Sequence, residues 1–182
     1  TFRSIYRDQL RYSFKTPRAV KRYLNSIKFT MPLIANEVDP VDFLLLEVMR
    51  VFYPTVYSKI RYEKELLTGT KYRIYTTSEE DDKLAKAEVQ KLIGKNEPLL
   101  GLIRSVFPYV EKLFNSSSTS PSRSELRSKR FVASPDYFDR YFSYGIPLND
   151  VSDTEIIDML QPDETSRLIA NLKEELEKHG AD

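Results

Sequence analysis

Ahead of three apolar or aromatic runs, this chain places a capping side chain directly before a proline: Thr16-Pro17, Asp39-Pro40 and Ser134-Pro135. Each pair reads as a helix start. The side-chain oxygen accepts an orphan N–H of the first turn, and proline at the first helical position lacks an N–H that would have had no partner. Behind the first two starts, apolar residues recur at helical spacing. Val20, Tyr23, Leu24 and Ile27 form one stripe; Val41, Leu44, Leu45, Val48, Met49 and Phe52 form another. A chain punctuated in this way predicts an all-α fold. Five glycines in 182 residues leave little material for tight β-turns or for a phosphate-cradling glycine loop.

The remaining segments follow the same pattern. Pro54 ends the second helix, and a third amphipathic run reaches Leu67 before Gly69 stops it. Ser78 and Asp81 resemble a capping box for a helix over 79–93, whose four leading acids, Glu79, Glu80, Asp81 and Asp82, suit the positive end of the macrodipole. Asn96 and Pro98 open an apolar helix to Phe114, with a kink or break predicted at Pro108. Residues 71–77 offer the single plausible strand or extended connector, so the fold is a multi-helix bundle with at most one short strand or hairpin. Residues 115–124, NSSSTSPSRS, read as a flexible linker or exposed loop, and a basic tract runs on to Arg130. Ser134-Pro135 then opens an aromatic helix in which Tyr137, Phe138, Tyr141 and Phe142 share one face, spaced for burial. Ser152 with Glu155 forms a further capping box, and Pro162-Asp163 restarts a last helix through Lys178. The expected organisation is a helical region over 1–114 with its basic helix at about 17–29, a linker or loop over 115–130, and a C-terminal helical segment over 131–182 packing on the first part.

Several chemistries lack their residues. There is no cysteine, and the one histidine, His179, stands in the terminal turn, where a surface role is expected. Neither a nucleophile–histidine pair nor a cysteine- or histidine-based metal site can be assembled. No self-contained active site is legible, so this chain is not expected to be an enzyme by itself. No apolar run approaches the roughly 20 residues needed to span a bilayer. The chain opens on threonine inside an apolar-periodic stretch, without a signal peptide, which predicts a fragment of a longer cytoplasmic protein.

Charge is sorted along the chain although the net charge is only +1. Residues 1–30 carry eight Lys/Arg and one Asp, and residues 147–182 carry three Lys/Arg and ten Asp/Glu. Either the two ends pair with each other, or the basic end meets something else. Around the first helix, Arg18, Lys21, Arg22 and Asn25 fall on one face, opposite Val20, Tyr23, Leu24 and Ile27. Arg18 lies in the first turn, where the macrodipole disfavours a cation by up to about 1 kcal/mol. That placement suits an anion, each charge-assisted contact to phosphate contributing roughly 1.5–3 kcal/mol. Two other readings stay open: a solvated basic face, or nucleic-acid contact through the interleaved cations and aromatics of residues 2–23. Nucleic acid is disfavoured because most of those aromatics fall where the core face belongs.

The run TPRAVKRYLNSI, followed by NEVDPVDFLLLEVMRVFYPTVYSKI, resembles the C-terminal helical part of the KAP-family P-loop NTPases. The resemblance rests on Pro17, Arg18, Lys21, Arg22 and Asn25, then Val38-Asp39, Phe43, Glu47, Pro54 and Tyr57. A second match, RFVASPDYFDRYFSYGIPLNDVSDTEI, is similar to the tail of the same family; together they cover about residues 10–62 and 130–157. The resemblance implies a lid-like helical region downstream of a nucleotide-binding core that is not in this chain. Arg18 would then stand in the sensor-2 position toward the phosphates of ATP, with Lys21 and Arg22 supporting it. ATP and Mg²⁺ would be held by that core, the chain's expected partner, and this piece would have a regulatory role in an ATPase. The alternatives are a non-enzymatic helical protein–protein interaction module, including a homo-oligomer, and a nucleic-acid-binding helical domain.

Overall fold

A computed structural model describes residues 7, 10–72, 79–146, 150–160 and 165–179. Among these residues the fold is all-α: a 3-10 turn at Leu10–Tyr12 precedes eleven α-helices, and there is no strand. They are α1 (Pro17–Ile34), α2 (Pro40–Phe52), α3 (Pro54–Ile60), α4 (Lys64–Leu67), α5 (Glu79–Ile93), α6 (Glu97–Val106), α7 (Pro108–Phe114), α8 (Arg123–Ser128), α9 (Phe138–Ser143), α10 (Asp153–Leu160) and α11 (Thr165–His179).

Helix α2 is the axis of the bundle. Phe43, Leu45, Leu46, Glu47, Val48 and Met49 are all buried, so this helix is covered nearly all round rather than along one stripe. Helix α1 packs on one side of it and α6 on another, and α5 closes against α3, α4 and α7. Val132, Ala133, Phe138 and Tyr141 enter the same core, which joins the later part of the chain to the earlier helices. Helix α11 packs on α10.

Two of the three cap-and-proline starts form as expected. The Thr16 hydroxyl accepts from the Ala19 N–H at 3.2 Å, and Asp39 accepts from both Val41 and Asp42 at 2.9 Å. The third differs. Residues 134–137 form turns, and α9 begins only at Phe138. The Ser134 carbonyl accepts from the Tyr137 and Phe138 N–H groups, while its hydroxyl is buried without a hydrogen-bond partner. Long-range bonds set this segment: Val132 N–H donates to Asp42 at 3.0 Å, and the Tyr141 hydroxyl donates to the Arg130 carbonyl at 2.7 Å.

The expected end of the basic helix near residue 29 is also corrected, since α1 continues to Ile34 with Pro32 inside it. Pro32 is exposed, as is Lys28, whose carbonyl loses its helical donor. Pro54 and Pro108 each break a helix in two, as expected, through single shared residues, Tyr53 and Phe107. The run toward Leu67 divides into α3 and α4. It stops at Gly69, whose φ of +73° excludes most side chains and where a Cβ would come within 2.6 Å of the Tyr109 ring. Lys71 and Tyr72 lie in a turn, and residues 73–77 of the suggested strand fall outside the described residues, as do Ser78 and Pro162-Asp163.

The stretch over 115–130 has two different halves. Residues 115–122 are irregular and mostly exposed, whereas Ser122 caps the short α8 through the Glu125 N–H at 3.1 Å. Arg130 is then fastened to Asp153 at 2.8 Å and to the Asn36 carbonyl, so the basic half of this stretch is tied to the bundle.

Candidate functional site

Helix α1 places its residues by how far each lies from α2. Tyr23 and Ile34 are buried, Ile27 and Met31 are half-buried against the core, and Val20 is half-buried. Leu24, expected on that stripe, is instead 56 % exposed. It sits at the stripe's edge, and α2 does not reach that far round the helix.

The inner face of α1 is fastened by polar groups that apolar spacing does not reveal. The Tyr23 hydroxyl donates to the Leu44 carbonyl at 2.8 Å. Ser26 donates to Glu47 at 2.6 Å, and Glu47 also accepts from Arg50 through both its oxygens, and from the Tyr144 hydroxyl at 2.9 Å. Burial alone would raise the Glu47 carboxyl; the hydrogen bonds from Arg50, Ser26 and Tyr144 outweigh it and hold the group below its usual range. Glu47 is therefore a charged junction of α1, α2 and the end of α9. In the apolar pattern it shows only as a lone charge inside LLLEVM.

The outer face differs. Arg18, Lys21, Arg22 and Asn25 are exposed and, with Ser13, Thr16 and Ala19, they line one open cleft of about 660 Å³. Phe52, from the end of α2, lines the same cleft. The structure thus brings Arg18, Lys21 and Arg22 together, but it gives them different states. Arg22 donates to the Val51 carbonyl at 2.9 Å, and its guanidinium lies 5.2 Å from the Phe52 ring centroid, so α2 moors it to the cleft wall. Arg18 and Lys21 have no acidic partner among the described residues. Phe52 and Ser13 were not anticipated as lining residues, because only tertiary packing brings them beside α1.

Backbone groups contribute little to this site. Pro17 has no N–H, Ala19 donates to the Thr16 hydroxyl, and Val20 donates to the Thr16 carbonyl at 3.2 Å. The Arg18 N–H is left, and anion binding here rests on the side chains and the macrodipole.

The two oppositely charged ends do not pair among the described residues. Two of the acids after residue 147 are taken by later arginines: Arg140 meets Asp150 at 2.8 Å and Asp153 at 3.2 Å, and also Glu37 at 2.8 Å. Arg140 holds the Asp150 carboxyl below its usual range, against burial that would raise it.

The aromatic face of 137–142 is burial surface: Tyr137, Phe138 and Tyr141 are in the core, and Phe142 packs against it. The side chain of His179 lies outside those described. Among the described residues no group of three or more His, Asp or Glu is placed to hold a metal ion. No helix among the described residues is long and apolar enough to cross a membrane.

No protein-family model, curated protein or solved structure matches this chain.

Proposed function

We propose that this chain is the helical regulatory part of a P-loop ATPase of the KAP type, and that α1 reads the phosphates of ATP held by a separate core. The observation that supports this most is the pair Arg18 and Lys21, exposed and without an acidic partner among the described residues, at the mouth of an open cleft beside the first turn of an 18-residue helix. A first turn with no acid and an arginine at its second position is electrostatically unfavourable unless an anion arrives. Mooring Arg22 to Val51 and Phe52 assigns it a positioning role and leaves phosphate contact to Arg18 and Lys21.

Attachment to ATP, rather than to phosphate in general, comes from the likeness of the Pro17-to-Asn25 helix and the 130–157 segment to that family. ATP and Mg²⁺ are assigned to the core, and this chain supplies no catalytic group. Arg18 would be engaged while the γ-phosphate is present, and its release would let α1 and the bundle fastened to it shift relative to the core. The experiment is ATP turnover by the protein expressed from its complete reading frame. Arg18→Ala lowers turnover at least about tenfold, as loss of one charge-assisted phosphate contact predicts. A complete protein that neither binds nor hydrolyses ATP overturns the reading.

A further inference from the structure

The exposed side of α1 changes character along its length. Residues 15–28 carry five Lys/Arg and no acid, whereas residues 29–36, FTMPLIAN, carry no charge at all. Within that uncharged end Phe29 is 76 % exposed and Leu33 62 %, and Pro32 is exposed as well. Neither Phe29 nor Leu33 packs on the core or lines the cleft formed by the described residues.

Phe29 and Leu33 nonetheless continue the line of the site. At about 100° per residue, Arg18, Arg22, Asn25, Phe29 and Leu33 fall within about 80° of one another. Leu24, 56 % exposed, lies about 180° from Leu33, at the other edge of the helix. At about 1.5 Å per residue, the line runs about 16 Å from Arg18 to Phe29 and about 22 Å to Leu33. Tyr23 and Ser26 fasten the inner side of the same helix to α2, at 2.8 and 2.6 Å, so the cations and the apolar pair are presented by one anchored element.

What covers this line is anionic at one end and apolar at the other. A free nucleotide would fill the cleft, and Phe29 and Leu33 lie beyond it. A nucleic-acid backbone would carry its charge on along the helix and set phosphates against both side chains. A protein surface that holds a phosphate group beside an apolar patch has both features.

We propose that Phe29 and Leu33 form an apolar latch that seats α1 on the nucleotide-holding core when Arg18 and Lys21 engage the phosphates. The latch rests on the reading of α1 given above and adds what the core contributes: an apolar patch about 16 to 22 Å from the phosphates. Phosphate contact by itself supports only the first turns of the helix. Two apolar side chains one turn apart give a second point of support, which fixes the angle of α1 over the nucleotide.

The absence of cysteine from this chain allows single cysteines to report on the line. Leu33→Cys and Leu24→Cys are made separately in the protein expressed from its complete reading frame. Alkylation at each position is followed by peptide mass spectrometry with and without a non-hydrolysable ATP analogue, whose binding is measured by calorimetry. The analogue slows alkylation in Leu33→Cys at least about fivefold and leaves the rate in Leu24→Cys unchanged. The double variant Phe29→Ser/Leu33→Ser raises the ATP concentration for half-maximal turnover at least about tenfold, while the unfolding of the 182-residue chain stays as in wild type. If the analogue binds and alkylation in Leu33→Cys is not slowed, the latch is overturned and phosphate reading stands. Equal slowing at both positions overturns it too, as does an unchanged ATP requirement in the double variant. A complete protein that does not bind the analogue overturns the latch and the phosphate reading together.

Discussion

The two faces of α1 follow different rules. Toward α2, the polar groups are matched: Tyr23 finds the Leu44 carbonyl, and Ser26 finds a buried Glu47 already held by Arg50 and Tyr144. Toward solvent, Arg18, Lys21 and Lys28 face no acid among the described residues, and Leu24, Phe29 and Leu33 are open. The inner face is a stability device in which removing one member strands the others. The outer face contributes little to folding, and on the reading proposed above its cations answer to phosphate. Substitutions on the two faces should therefore divide between unfolding and binding.

The largest effect is expected at the hub. Glu47→Ala strands Ser26 and Tyr144 in a low-dielectric site and leaves Arg50 without its partner, costing about 3 kcal/mol in urea unfolding. A loss well under 1 kcal/mol would show that the junction of α1, α2 and α9 is held by packing alone.

A second carboxylate on α2 sharpens the comparison, because burial prevails there. Asp42 accepts the Val132 N–H at 3.0 Å but meets no cation among the described residues, and burial raises its pKa to about 7, assisted by the charge of Asp39. A folded pKa above the unfolded value means that this group's stabilisation is present below about pH 4 and lost as pH rises through 7. Asp42→Asn keeps an acceptor for Val132 and removes the titration. Wild type should therefore fall relative to Asp42→Asn by on the order of 4 kcal/mol between pH 4 and pH 8. Parallel stability profiles would contradict this. Glu47, held below its usual range, works in the opposite sense, its contribution being lost on acidification.

Tyr23→Phe removes one hydrogen bond while keeping the ring against Phe14, 5.0 Å away, and Phe52. About 1 kcal/mol is expected, with α1 still docked, as amide-exchange protection of its inner residues would report. Full exchange along α1 would mean that this single bond fixes the helix.

Local chemistry was legible in the sequence, and chemistry spanning long separations was not. Thr16 and Asp39 cap helices whose first turns they nearly touch in sequence, so their role could be read directly. Ser134-Pro135 looks the same locally, but the segment around it answers to Asp42, 90 residues from the Val132 it binds, a position that no short window contains. The apolar period placed Val20, Tyr23 and Ile27 correctly. It placed Leu24 on the wrong side, because the width of the buried arc depends on how closely α2 approaches. In the candidate site, the shared face of Arg18, Lys21 and Arg22 followed from a rotation of about 100° per residue. Arg22's mooring to Val51, 29 residues away, did not. Glu47 was visible as an isolated charge in an apolar helix, but its partner Tyr144 stands 97 residues later, where sequence spacing carries no information.

The smallest expected stability effect belongs to Arg18, and there the division between the two faces is tested most directly. Arg18→Ala should change the unfolding free energy of the 182-residue chain by no more than about 0.5 kcal/mol, as for an exposed residue without partners. In the protein expressed from its complete reading frame, the same substitution should lower ATP turnover at least about tenfold, while Lys15→Ala on the neighbouring exposed turn leaves it unchanged. Turnover equal to wild type in Arg18→Ala, with the fold intact, would contradict the claim that the outer face of α1 reads phosphate.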